Sequence, residues 1–193
     1  MRDILFFPLT AALCAGLIYL ALAPFQDRPP SGAMSGGAID ADRSRIVVQD
    51  ADLYRFVAAG PGDIEIVDGP PTIARITLQE GQAVGLPQRG VHLPLAADLE
   101  RSWAERRLKI TITARAAAEG GASAMEARYA VGFRDESDWT PFDITLAFED
   151  YSFERTLPPT NQELSFDYLG VRPVVPEKQR SVEVSRIVFE IVG

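Results

Sequence analysis

The sequence has little that could cross-link it or bind a transition metal. It has one cysteine, Cys14, and one histidine, His92, among its 193 residues. Cys14 lies in an apolar stretch near the N-terminus, so the rest of the chain has no thiol and no disulfide bond is available to it. Structural zinc sites and sites that need two imidazoles are excluded for the same reason. The main part of the chain must therefore be stable through packing alone.

Positive charge is also scarce. The chain has 19 Lys and Arg against 27 Asp and Glu, which gives a formal net charge of −8. Because nucleic-acid ligands need clustered cations for their phosphates, we do not expect a nucleic-acid partner. Phosphate-binding glycine loops and the strand-to-helix motif of serine hydrolases are also missing, so we do not expect an enzyme.

One long apolar stretch is present, at residues 4–23, and it contains no charged residue. A helix of about 20 residues is about 30 Å long, which matches the hydrocarbon core of a bilayer. Small residues at 21–23 resemble a signal-peptidase site, but Pro24 disfavours cleavage there. We therefore predict a retained transmembrane helix behind a cytoplasmic head at residues 1–3. The chain would be anchored in a bacterial inner membrane with its C-terminal part in the periplasm.

Residues 24–44 are rich in Pro, Gly and Ser and predict a flexible linker. Beyond it, short segments of alternating apolar and polar residues are separated by Gly and Pro turns, and the clearest of them is 108–116. Another alternation, at 142–148, predicts one further strand. Phase changes near Gly170 and near Ser185 predict a bulge or bend in each of the two late strands. The only helical pattern lies at 96–106, so residues 45–193 are predicted to form an all-β, antiparallel β-sandwich.

The C-terminal half carries a recognisable order of strands and aromatic residues. Its segments are 107–115, 137–142 with Trp139, 151–153, 157–158, 166–173 and 182–187. This pattern resembles the jelly-roll domains of the carbohydrate-binding-module, galactose-binding-like type. The resemblance implies a jelly-roll sandwich, often with a structural calcium ion and in some members an aromatic platform for sugars.

Binding a sugar requires aromatic faces for its C–H surface and polar groups for its hydroxyls. The candidates for these roles are the rings of Trp103, Trp139, Tyr151 and Tyr168 and the guanidinium groups of Arg115 and Arg172. For Trp139 a structural role in covering the core is the alternative, and for the two arginines the alternative is a solvated strand charge.

Acidic loops offer oxygen atoms of the kind that calcium prefers. The candidate ligands are Asp135, Asp138 and Asp150, and solvated acidic turns are the alternative because their spacing matches no known calcium loop. Apart from this possible calcium ion, no cofactor is expected.

The leading functional hypothesis is a non-catalytic binding module for a glycan of the cell envelope or an exported glycan. The second is an accessory subunit that docks onto a larger envelope protein complex, and the third is a small glycoside hydrolase that uses two carboxylates. Exposed aromatic rings would favour the first, and buried rings with an apolar patch would favour the second.

Overall fold

The structure is a computed structural model that describes residues 3–26, 29–37, 42–133, 135, 137–159 and 165–192. The chain divides into two units, residues 1–30 and residues 31–193. In the first unit, helix α1 spans Asp3–Gln26 and includes the predicted helix. Taken over the described residues, no helix combines the length and the apolar character needed to cross a membrane. The membrane anchor and the periplasmic location stay predictions from the sequence.

The second unit consists of two packed antiparallel sheets. The strands are β1 (Arg45–Gln49), β2 (Val57–Ala58), β3 (Asp63–Val67), β4 (Ile73–Gln79), β5 (Val91–Leu95), β6 (Arg107–Ala116), β7 (Ala124–Ala130), β8 (Thr140–Asp143), β9 (Glu149–Thr156), β10 (Asp167–Pro173) and β11 (Gln179–Ile191). The six-stranded sheet has the order β3-β4-β11-β6-β9, with β1 also paired to β11, and the five-stranded sheet has the order β2-β5-β10-β7-β8. The predicted all-β, antiparallel β-sandwich is confirmed.

Strand periodicity explains the central part of the six-stranded sheet. In β6, Leu108, Ile110 and Ile112 are fully buried, and the residues between them are partly exposed on the outer face. β6 pairs along its length with β11, where the register shifts between Val184 and Arg186. The bulge that was predicted from the phase change in this strand is confirmed.

The bend predicted near Gly170 is wrong. β10 pairs without a register shift with β7 from Tyr168 to Pro173. Nearly all of its residues are buried on both faces, because loop residues cover the outer face of the five-stranded sheet. Apolar residues of both parities in this strand therefore reflect two covered faces and not a change of direction.

The predicted flexible linker was drawn too long, because residues 31–37 belong to the sandwich. Met34 forms a parallel bridge with Leu95, donates its amide to the Pro94 carbonyl at 2.8 Å, and accepts the Ala96 amide at 2.8 Å. The amide of Gly36 donates to the Asp98 carboxylate at 2.8 Å. Residues 38–41 of the predicted linker lie outside the described residues.

Trp103 lies in the core, so its assignment as an exposed sugar platform is wrong. It ends helix α2 (Ala97–Trp103), in which Leu99 and Trp103 fall on one face at a spacing of four residues, and both are fully buried. The Trp103 ring stacks on Phe189 with centroids 5.5 Å apart, and its Nε1 donates to the Arg43 carbonyl at 2.7 Å. Arg101 and Glu105, which flank Trp103 in the sequence, are exposed.

Replacing Trp103 should therefore strongly destabilise the sandwich. For Trp103→Ala we expect the free energy of unfolding to fall by about 3 to 5 kcal/mol, because a large cavity forms beside Phe189. Urea denaturation followed by circular dichroism measures the change. Phe133→Ala is the control, because Phe133 is 63% exposed and its removal should cost less than about 1 kcal/mol. Equal losses in the two variants would contradict this placement of Trp103.

Candidate functional site

Trp139 and Arg172 meet on the outer face of the five-stranded sheet. The Arg172 guanidinium lies 3.9 Å from the centroid of the indole ring and forms an ion pair with Glu126 at 2.6 Å. The indole Nε1 donates to the Gly85 carbonyl at 2.9 Å. The ring also packs onto Gly170, where an added Cβ would lie 2.7 Å from Cη2 of Trp139, so only glycine allows this approach. One face of the indole is thus covered by Arg172, and the cavity beside it, of about 10 Å³, is no larger than a water site.

Tyr168 lies on the same face and is buried, with 6% of its surface exposed. Its ring packs edge-on against His92, with centroids 5.2 Å apart, and against Phe133 at 5.6 Å. Burial lowers the pKa of His92, whose Nδ1 lies 3.1 Å from the Gly90 carbonyl. Tyr168 therefore presents no flat exposed ring for a ligand, and the exposed ring at this place is that of Phe133.

Arg115 lies on the opposite side of the molecule, on the outer face of the six-stranded sheet. Its Nε donates to Glu183 at 2.8 Å, and the other oxygen of Glu183 accepts from Arg75 at 2.8 Å. The Glu183 side chain is only 2% exposed between these two arginines. The Arg115 guanidinium also lies 4.3 Å from the centroid of the Phe148 ring. Arg115 is thus one member of a cross-strand ion network.

The three predicted calcium ligands do not form one site. Asp135 forms an ion pair with Arg155 and accepts the amides of Val131 at 2.6 Å and Ser137 at 2.8 Å. Burial raises the pKa of Asp135, but these hydrogen bonds and the Arg155 charge outweigh it and hold the pKa below its usual range. The charge of Asp135 is thus already balanced by the Arg155 guanidinium.

The other two predicted ligands are also unsuited to an ion. Asp150 accepts a hydrogen bond from the Thr113 hydroxyl, and Asp138 is exposed. Within the described ranges, no group of three His, Cys, Asp or Glu side chains could hold a metal ion. The described residues therefore do not fit the calcium site that the sequence suggested.

A concave feature lies at the open edge of the sandwich, between β8 and β9. Each of these strands is the outermost strand of its sheet. Phe142 of β8 contacts Tyr151 and Phe153 of β9, with ring centroids 5.7 Å and 6.4 Å apart. Beside these rings is a cavity of about 350 Å³, which we name the edge groove. It is lined by Tyr129, Ser137, Asp138, Thr140, Phe153, Glu154, Arg155 and Thr156.

The edge groove combines one aromatic wall with several unused polar groups. The Phe153 ring is partly exposed. Among the described residues, the hydroxyls of Thr140 and Thr156 and the carboxylate of Asp138 have no hydrogen-bond or ion-pair partner. Glu154 forms an ion pair with Arg107 at 3.3 Å. The groove can therefore offer a ligand a ring face, hydroxyls that donate or accept, and a carboxylate that accepts.

A buried hydrogen-bond network supports the wall of the groove. Arg155 donates to the Tyr129 carbonyl at 2.7 Å and to the Asp135 carboxylate. The Tyr129 hydroxyl donates to Asp167 at 2.6 Å, and Asp167 also accepts the Gly132 amide at 3.1 Å. These bonds hold the chain between β7 and β8 against β9 and β10, so the groove is formed before any ligand arrives.

The sequence predicted only part of this site. Asp138 was selected, but as a calcium ligand, and Tyr151 was selected and lies beside the groove through its contact with Phe142. Phe153, Thr140 and Thr156 were missed. The signal for Phe153 and Thr156 was present in the alternation of β9. Sequence alone does not show, however, that β8 and β9 are edge strands with an open side.

Asp167 provides a test of the network. Its pKa is raised to about 6, first by burial and then by the nearby Glu100 charge, which together outweigh the hydrogen bonds from Tyr129 and Gly132. The folded protein thus holds this proton more tightly than the unfolded chain, whose aspartates titrate near 3.8. The stabilisation from Asp167 is therefore full below pH 3.8 and is lost as the pH rises through about 6.

Because of Asp167, the free energy of unfolding of the wild-type protein should fall by up to about 3 kcal/mol as the pH rises from 3.8 to about 6. The size follows from about 1.4 kcal/mol per unit of pKa shift. Asp167→Asn should remove that part of the decline, as measured by urea denaturation between about pH 4 and pH 7. Asp143→Asn, at an exposed carboxylate of β8, should keep the wild-type curve. A curve for Asp167→Asn that parallels the wild type would show that Asp167 does not titrate in this way.

No family model matches the chain, and no curated protein matches it. Several solved carbohydrate-binding modules have a similar two-sheet fold. They include "BiXyn10A CBM1 APO", with 12% identity over 71% of this chain and 89% of that chain and a TM-score of 0.47. The CBM22-1 xylan-binding domain from Paenibacillus barcinonensis Xyn10C has 12% identity over 71% and 85% of the two chains and a TM-score of 0.45. A CBM4 module has 10% identity over 79% and 98% and a TM-score of 0.47. Likeness at this level concerns the fold alone.

Proposed function

We propose that residues 31–193 form a non-catalytic module that binds a glycan in the edge groove. One observation supports this proposal above the others: the partly exposed ring of Phe153 lies beside two hydroxyls, of Thr140 and Thr156, and the Asp138 carboxylate, none of which has a hydrogen-bond or ion-pair partner in the described part of the chain. A polyhydroxylated ligand has C–H surface to pack on the ring and hydroxyls to bond the polar groups. The three predicted rings Trp103, Trp139 and Tyr168 have no part in this site.

The dimensions and rigidity of the groove suit such a ligand. Its volume of about 350 Å³ lies at the lower end of the range of small-molecule sites, about 300 to 1,000 Å³. Arg155 is fixed by Tyr129 and Asp135, so little conformational entropy is lost on the protein side when a ligand binds. A short stretch of a glycan fits these conditions better than a large protein surface does.

Catalysis is not part of the proposal. Asp138 and Glu154 both line the groove, as the two carboxylates of a glycoside hydrolase would. Both side chains are exposed, and Glu154 is paired with Arg107. A general acid for this reaction needs apolar surroundings that keep it protonated, and neither residue has them. We therefore retain a binding function.

The origin of the glycan follows from the predicted location. If α1 anchors the protein in a bacterial inner membrane, residues 31–193 face the periplasm, and the ligand is a glycan of the envelope or an exported glycan. The apolar and uncharged sequence of residues 4–23 supports this location.

Replacing the aromatic wall should weaken glycan binding. We expect Phe153→Leu to reduce affinity for a bound polysaccharide by about tenfold, because the aliphatic side chain preserves packing but removes the flat ring. Affinity electrophoresis of the full chain in mild detergent, in gels containing hydroxyethyl cellulose or arabinoxylan, measures this. Phe133→Leu, at an exposed ring outside the groove, is the matched control and should bind like the wild type.

The proposal would be contradicted if neither polysaccharide retarded the protein and a panel of envelope glycans gave the same result. Equal losses in the Phe153 and Phe133 variants would also contradict it, because the groove would then not be the site.

A second candidate function, docking onto an envelope protein complex, is favoured by a different surface. Phe133 is 63% exposed and Phe166 is 47% exposed, and Phe133 packs against Tyr168, two residues beyond Phe166. Exposed aromatic side chains of this size are typical of protein interfaces.

If this surface docks a partner, Phe133→Ser combined with Phe166→Ser should abolish co-purification of a stoichiometric partner in mild detergent, because both rings would leave the interface. Phe153→Leu should leave that co-purification unchanged. Partner loss in the Phe153 variant instead would place the interface at the sandwich edge.

A further inference from the structure

In the edge groove the positive side chains have partners, whereas one negative side chain has none among the described residues. This difference affects which glycans the groove can bind. Two arginines lie at the groove, but both have carboxylate partners. Arg155 is paired with Asp135, with the two side chains 21% and 5% exposed, and Arg107 is paired with Glu154 at 3.3 Å. No cation of the described groove lining is thus left for a ligand.

A third cation, Arg128, is close enough to Asp138 for their charges to interact. It is only 6% exposed, however, and its guanidinium donates to the backbone carbonyls of Gly85 and Asp135. Arg128 therefore weakens the field of Asp138 a little but cannot itself contact a ligand in the groove.

The charge that remains accessible is negative. Asp138 is exposed, lines the groove, and has no hydrogen-bond or ion-pair partner among the described residues. A ligand carboxylate or sulfate placed beside it would meet a like charge and, among the described residues that line the groove, would find no free guanidinium or ammonium in return. A ligand hydroxyl would instead find a charged acceptor, which makes a stronger hydrogen bond than a neutral one.

We propose that the edge groove selects glycans without acidic groups and that Asp138 is the residue that sets this specificity. This inference rests on the proposed function, because it assigns the ligand class of the same groove. Asp138 acts in it as a direct contact that accepts ligand hydroxyls and repels ligand anions.

The test compares neutral and anionic polysaccharides with the same backbone. Hydroxyethyl cellulose is paired with carboxymethyl cellulose, and arabinoxylan with glucuronoxylan, in affinity electrophoresis of the full chain at low ionic strength. We expect the neutral member of each pair to bind at least about fivefold more tightly than the anionic member. This is the effect of one like charge at contact distance when salt does not screen it. Asp138→Asn should remove most of this preference by strengthening binding of the anionic member.

The net charge of −8 would by itself disfavour anionic polymers, so a control for charge is needed. Asp143→Asn removes one exposed negative charge from the same edge of the sandwich without touching the groove, and it should keep the preference. Equal loss of preference in both variants would overturn the assignment of Asp138.

The remaining outcomes separate the two proposals. Equal binding of neutral and anionic members by the wild type overturns this inference and leaves glycan binding intact. Binding of no polysaccharide in either pair, or in the wider panel, overturns glycan binding and the inference with it.

Discussion

The ion pair between Arg155 and Asp135 is the interaction on which the edge groove depends. Arg155 belongs to an edge strand of the six-stranded sheet, whereas Asp135 lies in the connection that leads to the edge strand of the five-stranded sheet. The pair therefore joins the two layers at the side where no further strand covers them. Removing one partner would leave a buried, uncompensated charge, which typically costs several kcal/mol. The open side is thus held at a fixed separation by this ion pair together with the ring contacts of Phe142 with Tyr151 and Phe153.

This arrangement also explains why the groove is polar inside an otherwise apolar sandwich. Tyr129 faces the core, is 1% exposed, and directs its hydroxyl to the buried Asp167. Burial, followed by the charge of Asp167, raises the pKa of Tyr129, so this hydroxyl remains a donor. Polar groups thus extend from the core to the surface at this edge, and the groups at the end of this path that have no partner among the described residues are those available to a ligand.

Sequence periodicity predicted the architecture because each sheet has one face against the core. It failed where side chains or loops interrupt that simple relation. The alternation at 142–148 predicted one strand, yet β8 ends at Asp143 and Leu146 is 70% exposed. Thr145 explains the ending, because its hydroxyl bonds to the backbone of Ala147 and turns the chain. Ile144 still bonds to the Ser123 carbonyl, and the Thr145 carbonyl accepts from Ala116, so the chain crosses between sheets here.

The site was harder to predict than the fold, for a related reason. The sequence identifies aromatic and charged residues but not which strands lie at an open edge. Trp139 and Arg172 were predicted separately as ligand contacts, but in the structure the Arg172 guanidinium lies over the Trp139 ring. Phe153 packs against the core from its strand but is partly exposed, because this edge of the core is uncovered. Exposure of this kind depends on strand order, which is a long-range property.

The short stretch around Met34 has a consequence for the extent of the autonomous folding unit. Met34 bonds to the chain on both sides of Leu95, and Arg43 supplies the carbonyl that accepts the Trp103 indole proton. Both residues precede the first long strand. A protease that trimmed the chain at residue 44 would strip the bridge from β5 and leave a buried indole nitrogen without an acceptor. The stable body of this protein thus begins well inside the segment whose composition is typical of a disordered tether.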